Sequence, residues 1–307
     1  MKPHIRSIIT ALAITVLVVW FMVRIVAPSL PPMVGRPDVH EIKQFSHPAS
    51  ESFRLVNSDG LVRVSTHSAP TIRGSAEIRA FLRGDGSQDE LRQYVASLVD
   101  IMSSESQVRI LTEPSNRPDG FELFVVYDVQ VPAGTNVEIE SNNGNVWVEP
   151  GCGRVAVKGR NTDIDVRGPK GAVVAESVNG RITVQEAPDG GQLKTVNGNV
   201  YADVAGGHLE AMTANGNIIA RVLGSSVNGA ALSSQNGGVS LEMELDCTAV
   251  IQARTERGSV RTELPEGAVS GTLQRKAFDG TVGNGENRAR ITMETLNGDI
   301  SIARSSS

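Results

Sequence analysis

The sequence predicts an all-β chain: a β-solenoid, or β-helix, of about eight short coils, with one N-terminal transmembrane helix and one amphipathic capping helix. Three observations lead there. An Asn-led turn returns every 18 residues, at Asn143, Asn161, Asn179, Asn197 and Asn215. Three residues after each of these stands an aliphatic: Val146, Ile164, Ile182, Val200 and Ile218. Aromatic residues make up only 4% of the chain while glycines number 31, which suits many short strands with tight turns rather than helices around an aromatic core. The interval then lengthens to 21 at Asn236 and Arg257, and the turn returns at Asn297.

Taken in order, residues 1–27 form the membrane end. Ile8 to Val23 is apolar apart from two threonines, and Arg24 interrupts before Ile25-Val26-Ala27. With Arg24 snorkelling to the headgroups, this is the length of a spanning helix, with Trp20 as an interfacial anchor. Lys2 and Arg6 precede the run, which predicts a cytoplasmic N-terminus, an exported remainder and a single pass through the bacterial cytoplasmic membrane. The apolar run is long for a cleaved signal peptide and lacks a small-x-small cleavage site, so it is expected to be retained. Residues 28–50 carry five prolines and no apolar period, and read as an extended spacer.

Residues 51–135 read as an N-terminal β segment. Phe53–Val56 and Leu61–Val64 flank Asp59-Gly60 and predict a hairpin. Ser87-Gln88-Asp89-Glu90 is a capping box, followed by Leu91, Tyr94, Val95, Leu98, Val99 and Met102 on one helical stripe. A helix over 87–104 is therefore expected, covering an open strand edge at the end of the stack. Gln107–Leu111 and Phe121–Val131 read as strands.

Residues 136–303 carry the repeats, and 304–307 are a tail. Each Asn-Gly pair supplies residues that tolerate positive φ, as a tight I′ turn demands. Val148, Val166, Val184, Ala202, Ala220 and Leu241 follow two residues after the first aliphatic, and alternation puts both sets on one inward face. Ser or Thr recurs two positions before the Asn, at Ser141, Ser177, Thr195, Thr213, Ser234, Thr255 and Thr295. With the asparagines Asn143, Asn161, Asn179, Asn197, Asn215, Asn236 and Asn297 they can form a structural turn ladder of side-chain hydrogen bonds. Cys152 and Cys247 fall five repeat steps apart, some ~20 Å at strand spacing, beyond disulfide reach. Both are expected to be free thiols.

The turn pattern is Ser or Thr, any residue, Asn-Gly, then Asn, Asp or Arg, then Ile or Val. With the entering segment Tyr127–Gly134 and the closing run Arg290–Ile302, it resembles the bacterial "putative adhesin" family of β-strand-repeat proteins, over approximately Phe53 to Ala303. The resemblance implies a β-solenoid and, in many relatives, a membrane anchor and an envelope location. It carries over no catalytic residues, because the family defines none. The chain departs from the pattern at Thr162 and Arg257, where looser turns or turns of another type are expected.

The chemistry legible in the sequence is sparse. A net charge of −5 without a Lys/Arg cluster argues against nucleic acid. Asp163 and Asp165 share an outer face, the arrangement of a polysaccharide-active β-helix enzyme, but neighbouring repeats add no third carboxylate or His at matching positions. The 18-residue step equals three hexapeptides, yet the acyltransferase hexapeptide pattern is missing and His208 is the one histidine of the repeats. No metal-ligand spacing, P-loop or dinucleotide fingerprint occurs, so no catalytic, metal or cofactor residue is assigned. The outward position four after the turn Asn reads Trp147, Asp165, Thr183, Tyr201, Ile219. Trp147, Asp165, Tyr201 and Ile219 form the candidate binding surface, for an envelope glycan or protein. The expected function is a non-enzymatic, membrane-anchored structural, adhesin-like or binding module of the cell envelope. The alternatives are a bactofilin-like scaffold that self-associates through its ends and, last, the enzyme.

Overall fold

The computed structural model describes residues 36–83, 86–112, 117–244, 247–264, 269–283 and 289–304. The expected spanning helix lies outside the described residues. Among them, no helix is long and apolar enough to cross a membrane.

The described chain is β throughout except for one helix. Its elements are β1 (Val39–Pro48), β2 (Ser52–His67), β3 (Thr71–Leu82), α1 (Gln88–Ser97), β4 (Val99–Ser103), β5 (Gln107–Thr112), β6 (Phe121–Pro132), β7 (Asn136–Val148), β8 (Val155–Arg167), β9 (Val173–Asn179) and β10 (Ile182–Ala187). There follow β11 (Gly190–Asn197), β12 (Val200–Asn215), β13 (Ile218–Ser234), β14 (Val239–Met243), β15 (Ala249–Thr255), β16 (Val260–Glu263), β17 (Val269–Gln274), β18 (Ala277–Val282), β19 (Ala289–Thr295) and β20 (Ile300–Arg304).

The repeat interval is the pairing register. Val137 pairs with Val155, Val146 with Ile164, Ile182 with Val200 and Val200 with Ile218, all between parallel strands. Long strands such as β8 and β12 run through a corner and pair on both sides. The pairing of β8, β9, β11, β12 and β10 therefore closes into a five-stranded parallel ring. The two strand sets of each layer bury their inward faces against one another, and their outward faces stay partly exposed. The core lines Val146–Ile164–Ile182–Val200–Ile218 and Ile139–Val157–Ala175–Leu193–Ala211 are fully buried.

Both ends depart from sequence order. The β2 strand pairs with β7 on one side and with β5 and β6 on the other, so layer 52–67 lies between layers 107–132 and 136–148. At the other end β19 lies between β13 and β15, and β20 between β14 and β16. Layer 289–304 thus sits inside layer 249–263. Antiparallel strands continue from the outer layers: β3 and β1 from β6, β4 from β5, β18 and β17 from β15.

Four expectations are corrected. The hairpin around Asp59-Gly60 is one continuous strand, β2, because its two halves find separate parallel partners rather than each other. Within the expected spacer, Val39–Pro48 is a strand paired with β3, its prolines lying outside or at the last position, where no further ladder bond is lost. The helix expected over 87–104 spans Gln88–Ser97, and Val99–Ser103 pairs antiparallel with β5. Val99-Asp100-Ile101-Met102 also alternates, and the strand reading wins, leaving Met102 exposed. The stack does not follow chain order at either end.

Helix α1 is closed at both termini. Glu90 N donates to Ser87 Oγ and Ser87 N to a Glu90 carboxylate oxygen. At the other end the Leu98 N–H donates to Val95 O at 3.3 Å, and Lys43 Nζ on β1 donates to the carbonyls of Val95 and Ala96 at 3.2 and 2.6 Å.

Candidate functional site

The turns come first, because they set the outward columns. The I′ explanation of Asn-Gly is corrected: Gly60 and Gly144 have positive φ, but Gly180, Gly198, Gly216, Gly237 and Gly298 do not. Their glycine answers to close stacking instead. A Cβ at Gly198 would stand 2.0 Å from Gly180 O, and one at Gly216 2.0 Å from Gly198 O. Each carbonyl of one turn fills the space where the next would carry a side chain.

The turn asparagines bond in a column. Asn161 Nδ2 donates to Asn143 Oδ1 at 2.7 Å, and the same bond joins Asn179 to Asn161, Asn197 to Asn179, Asn215 to Asn197, Asn236 to Asn215 and Asn297 to Asn236. At the first end Asn143 Nδ2 donates to Asp59 Oδ1 at 2.6 Å. Beside the column, hydroxyls of Thr195, Thr213, Ser234 and Thr295 donate to the carbonyls of Gly180, Gly198, Gly216 and Gly237. The layer of Asn161 differs. There Gly159 stands in the hydroxyl position, and Thr162, fully buried, donates its own hydroxyl to Ser141 O at 3.0 Å.

The register puts Arg63, Trp147, Asp165, Thr183, Tyr201 and Ile219 in one outward column. All are half-buried. Trp147 and Tyr201 are three strand steps apart, about 14 Å at parallel spacing. Asp165 between them is held by Arg167, whose Nε and NH2 group donate to its two oxygens at 2.9 and 3.0 Å. Asp163 accepts from the backbone N–H of Arg181 at 2.8 Å. Both carboxylates are thus engaged by arginine N–H groups rather than poised over one substrate atom.

Beside this column run ion pairs that stiffen the face. Arg63 meets Glu149 at 2.7 Å, and Arg221 lies between Asp203 and Glu242 at 3.7 and 3.3 Å. Burial pushes the Asp203 carboxyl above its ordinary range, against the lowering effect of Arg221, while Glu242 and Glu186 raise it further. Burial likewise raises Asp128, with Arg63 opposing and Glu149 adding. Glu186 is the one non-glycine residue with positive φ among those described.

Cys152 and Cys247 are buried thiols, Cys247 Sγ donates to Gly224 O at 3.0 Å, and burial pushes the Cys152 thiol up to about 12. Tyr127, fully buried and hydrogen-bonded to Thr112, is also pushed up to about 12 by burial. His208 is exposed beside Gly190 and Gly229. Among the described residues, no three of His, Cys, Asp and Glu gather as a metal site. Val178, Val196 and Met212 are exposed on the other outward face. Sequence reasoning misses them; the signal is the residue just before Asn in Ser177-Val178-Asn179 and Thr195-Val196-Asn197, where alternation points a valine outward.

No protein-family model and no curated protein matches the chain. Among solved structures it is similar to a putative adhesin from Bacteroides fragilis NCTC 9343, at 12% identity and TM-score 0.48, over 88% of this chain and all of that one. It is also similar to a putative cell adhesion protein from Clostridium sporogenes ATCC 15579, at 13% identity and TM-score 0.24, over 88% of this chain and all of that one. A putative adhesin from Parabacteroides distasonis ATCC 8503 aligns at 10% identity and TM-score 0.40, over 87% of this chain and 97% of that one. These descriptions name the group that the turn motif resembles. With TM-scores below 0.5, none of the likenesses carries an argument about function.

Proposed function

We propose that the parallel layers wind as a β-solenoid, held outside the cytoplasmic membrane by the apolar segment 8–27, and that the molecule is a non-enzymatic binding module of the cell envelope. One observation carries this reading. The repeated residues are consumed by core lines, turn stacking and the amide column, which leaves the outward columns free to vary, and the half-buried one carries the aromatics Trp147 and Tyr201. A flat face with two aromatics three steps apart, lined by Asp165, Thr183 and Arg167, offers ring faces and hydrogen-bonding groups to an extended glycan of the envelope. An end-to-end scaffold is less well supported, because antiparallel strands and α1 cover the outer layers.

The test is binding of the full chain, in detergent, to isolated peptidoglycan and other envelope polysaccharide. Replacing both aromatics, Trp147→Ala with Tyr201→Ala, is expected to weaken binding at least about tenfold, since each stacked ring contributes on the order of 1 kcal/mol. Unchanged binding in the double variant, or no binding by the native chain, removes the proposal.

A further inference from the structure

The other outward face, carried by β7, β8, β9, β11 and the end of β12, has a pattern that glycan binding does not use. One of its columns reads Glu140, Lys158, Glu176, Lys194, Met212. The charge changes sign at every strand step from Glu140 to Lys194. Two residues further along each strand, just before the turn asparagines, Val178 and Val196 are 42% and 45% exposed, and Met212 beside them is 40% exposed. Of the exposed large hydrophobics among the described residues, these three adjoin one another. A column that alternates in sign offers no net charge to a basic or acidic partner, but it is its own complement when reversed.

We propose that this face docks on the same face of a second copy of the chain, about a two-fold axis parallel to the strands and between the layers of Asn179 and Asn197. Such an axis reverses the order of the layers and keeps each column opposite itself. Glu176 then faces Lys194 of the second copy, and Lys194 faces its Glu176. Val178 faces Val196 of the second copy, and Val196 its Val178. The central charges and the central valines are matched by one operation, while one layer further out Lys158 faces Met212 of the second copy. Moving the axis one layer toward Asn161 keeps opposite charges together but sets Val178 against Arg160. Moving it one layer the other way loses both matches, setting Lys194 against Met212, Glu176 against Ser233 and Val196 against Ala214. The valines therefore choose among registers that charge alone would allow. The docked pair turns its two Trp147 columns outward on opposite sides, so each dimer can bridge two neighbouring polymer strands.

The experiment is sedimentation of the full chain in detergent across a concentration series. The native chain is expected to form dimers. Glu176→Lys alone and Lys194→Glu alone are each expected to weaken self-association at least about tenfold, because like charges then meet across the axis. An equimolar mixture of the two variants is expected to dimerise, each chain supplying the sign the other lacks, and the double variant Glu176→Lys/Lys194→Glu to dimerise like the native chain. Recovery in the mixture also demonstrates that both variants are folded. A monomer at every concentration, single variants that associate as the native chain does, or a mixture that stays monomeric overturns the proposal.

Discussion

Thr162 and Gly159 have exchanged the parts that other layers give to Gly and Ser or Thr. In most layers a hydroxyl two residues before the Asn reaches the carbonyl of the preceding turn, and glycine after the Asn leaves that carbonyl room. In the Asn161 layer the hydroxyl comes from the turn itself, and a Cβ at Gly159 would stand 2.4 Å from Thr162 Cβ. Gly159→Ser alone is expected to destabilise the protein by about 1–3 kcal/mol through overpacking. Thr162→Gly alone is expected to cost about as much, through a lost buried hydroxyl bond and added backbone freedom. Together they rebuild the ordinary layer, and the double variant should lie within about 1 kcal/mol of native; the coupling is read from a denaturant-unfolding cycle. The sequence marks Thr162 as a departure, but the compensating glycine three residues earlier means nothing until the register is known. Glycine itself is legible as a turn residue for the wrong reason, since its need arises between layers and not within one turn.

Among the elements, strands are easier to read than their partners. Alternating aliphatics locate β7 to β14 because each strand buries one side only, and that pattern survives whatever the strand pairs with. The hairpin expected at Asp59-Gly60 fails because a turn dipeptide within β2 looks the same whether the chain reverses or continues. Helix α1 is legible at its start, where the capping box is a local device, and misleading at its end, where Val99 and Ile101 suit both periods. Ser87→Ala is expected to remove about 1 kcal/mol of helix stability. Hydrogen bonds from the Ser87 backbone N–H and hydroxyl hold Glu90 below the usual carboxylate range. A lowered folded-state pKa means that this support is present above the unfolded value and is lost as pH falls through the folded one. The protection factors of amides in α1, exchange measured against the intrinsic rate at each pH, should therefore fall on acidification below the ordinary carboxylate range, and Glu90→Gln should abolish that acid step.

At the scale of the whole molecule, the layer order is what the sequence conceals. All the turns carry similar motifs, so Asn236, Arg257 and Asn297 read as three layers in a row, yet the last is built between the first two. Removing residues 289–304 takes away the parallel partner of both β14 and β16. Loss of amide protection is expected across 229–263, while the layers of Asn143 to Asn197 keep theirs, since each depends chiefly on its neighbours. Hydrogen exchange of the truncated chain measures this; protection retained over 249–263 would contradict the layer order.

The amide column has a direction. Every rung donates toward the Asp59 end, so the side-chain dipoles add along the stack as peptide dipoles do along a helix. Asp59 is an acceptor with no N–H to offer. At the far end the Asn position holds Arg257, a donor with no acceptor. A pile of identical amide rungs is elsewhere the template on which fibrils lengthen, each arriving chain matching the last. Here neither terminus presents an amide to be copied, and the ladder carries its own stop at both ends.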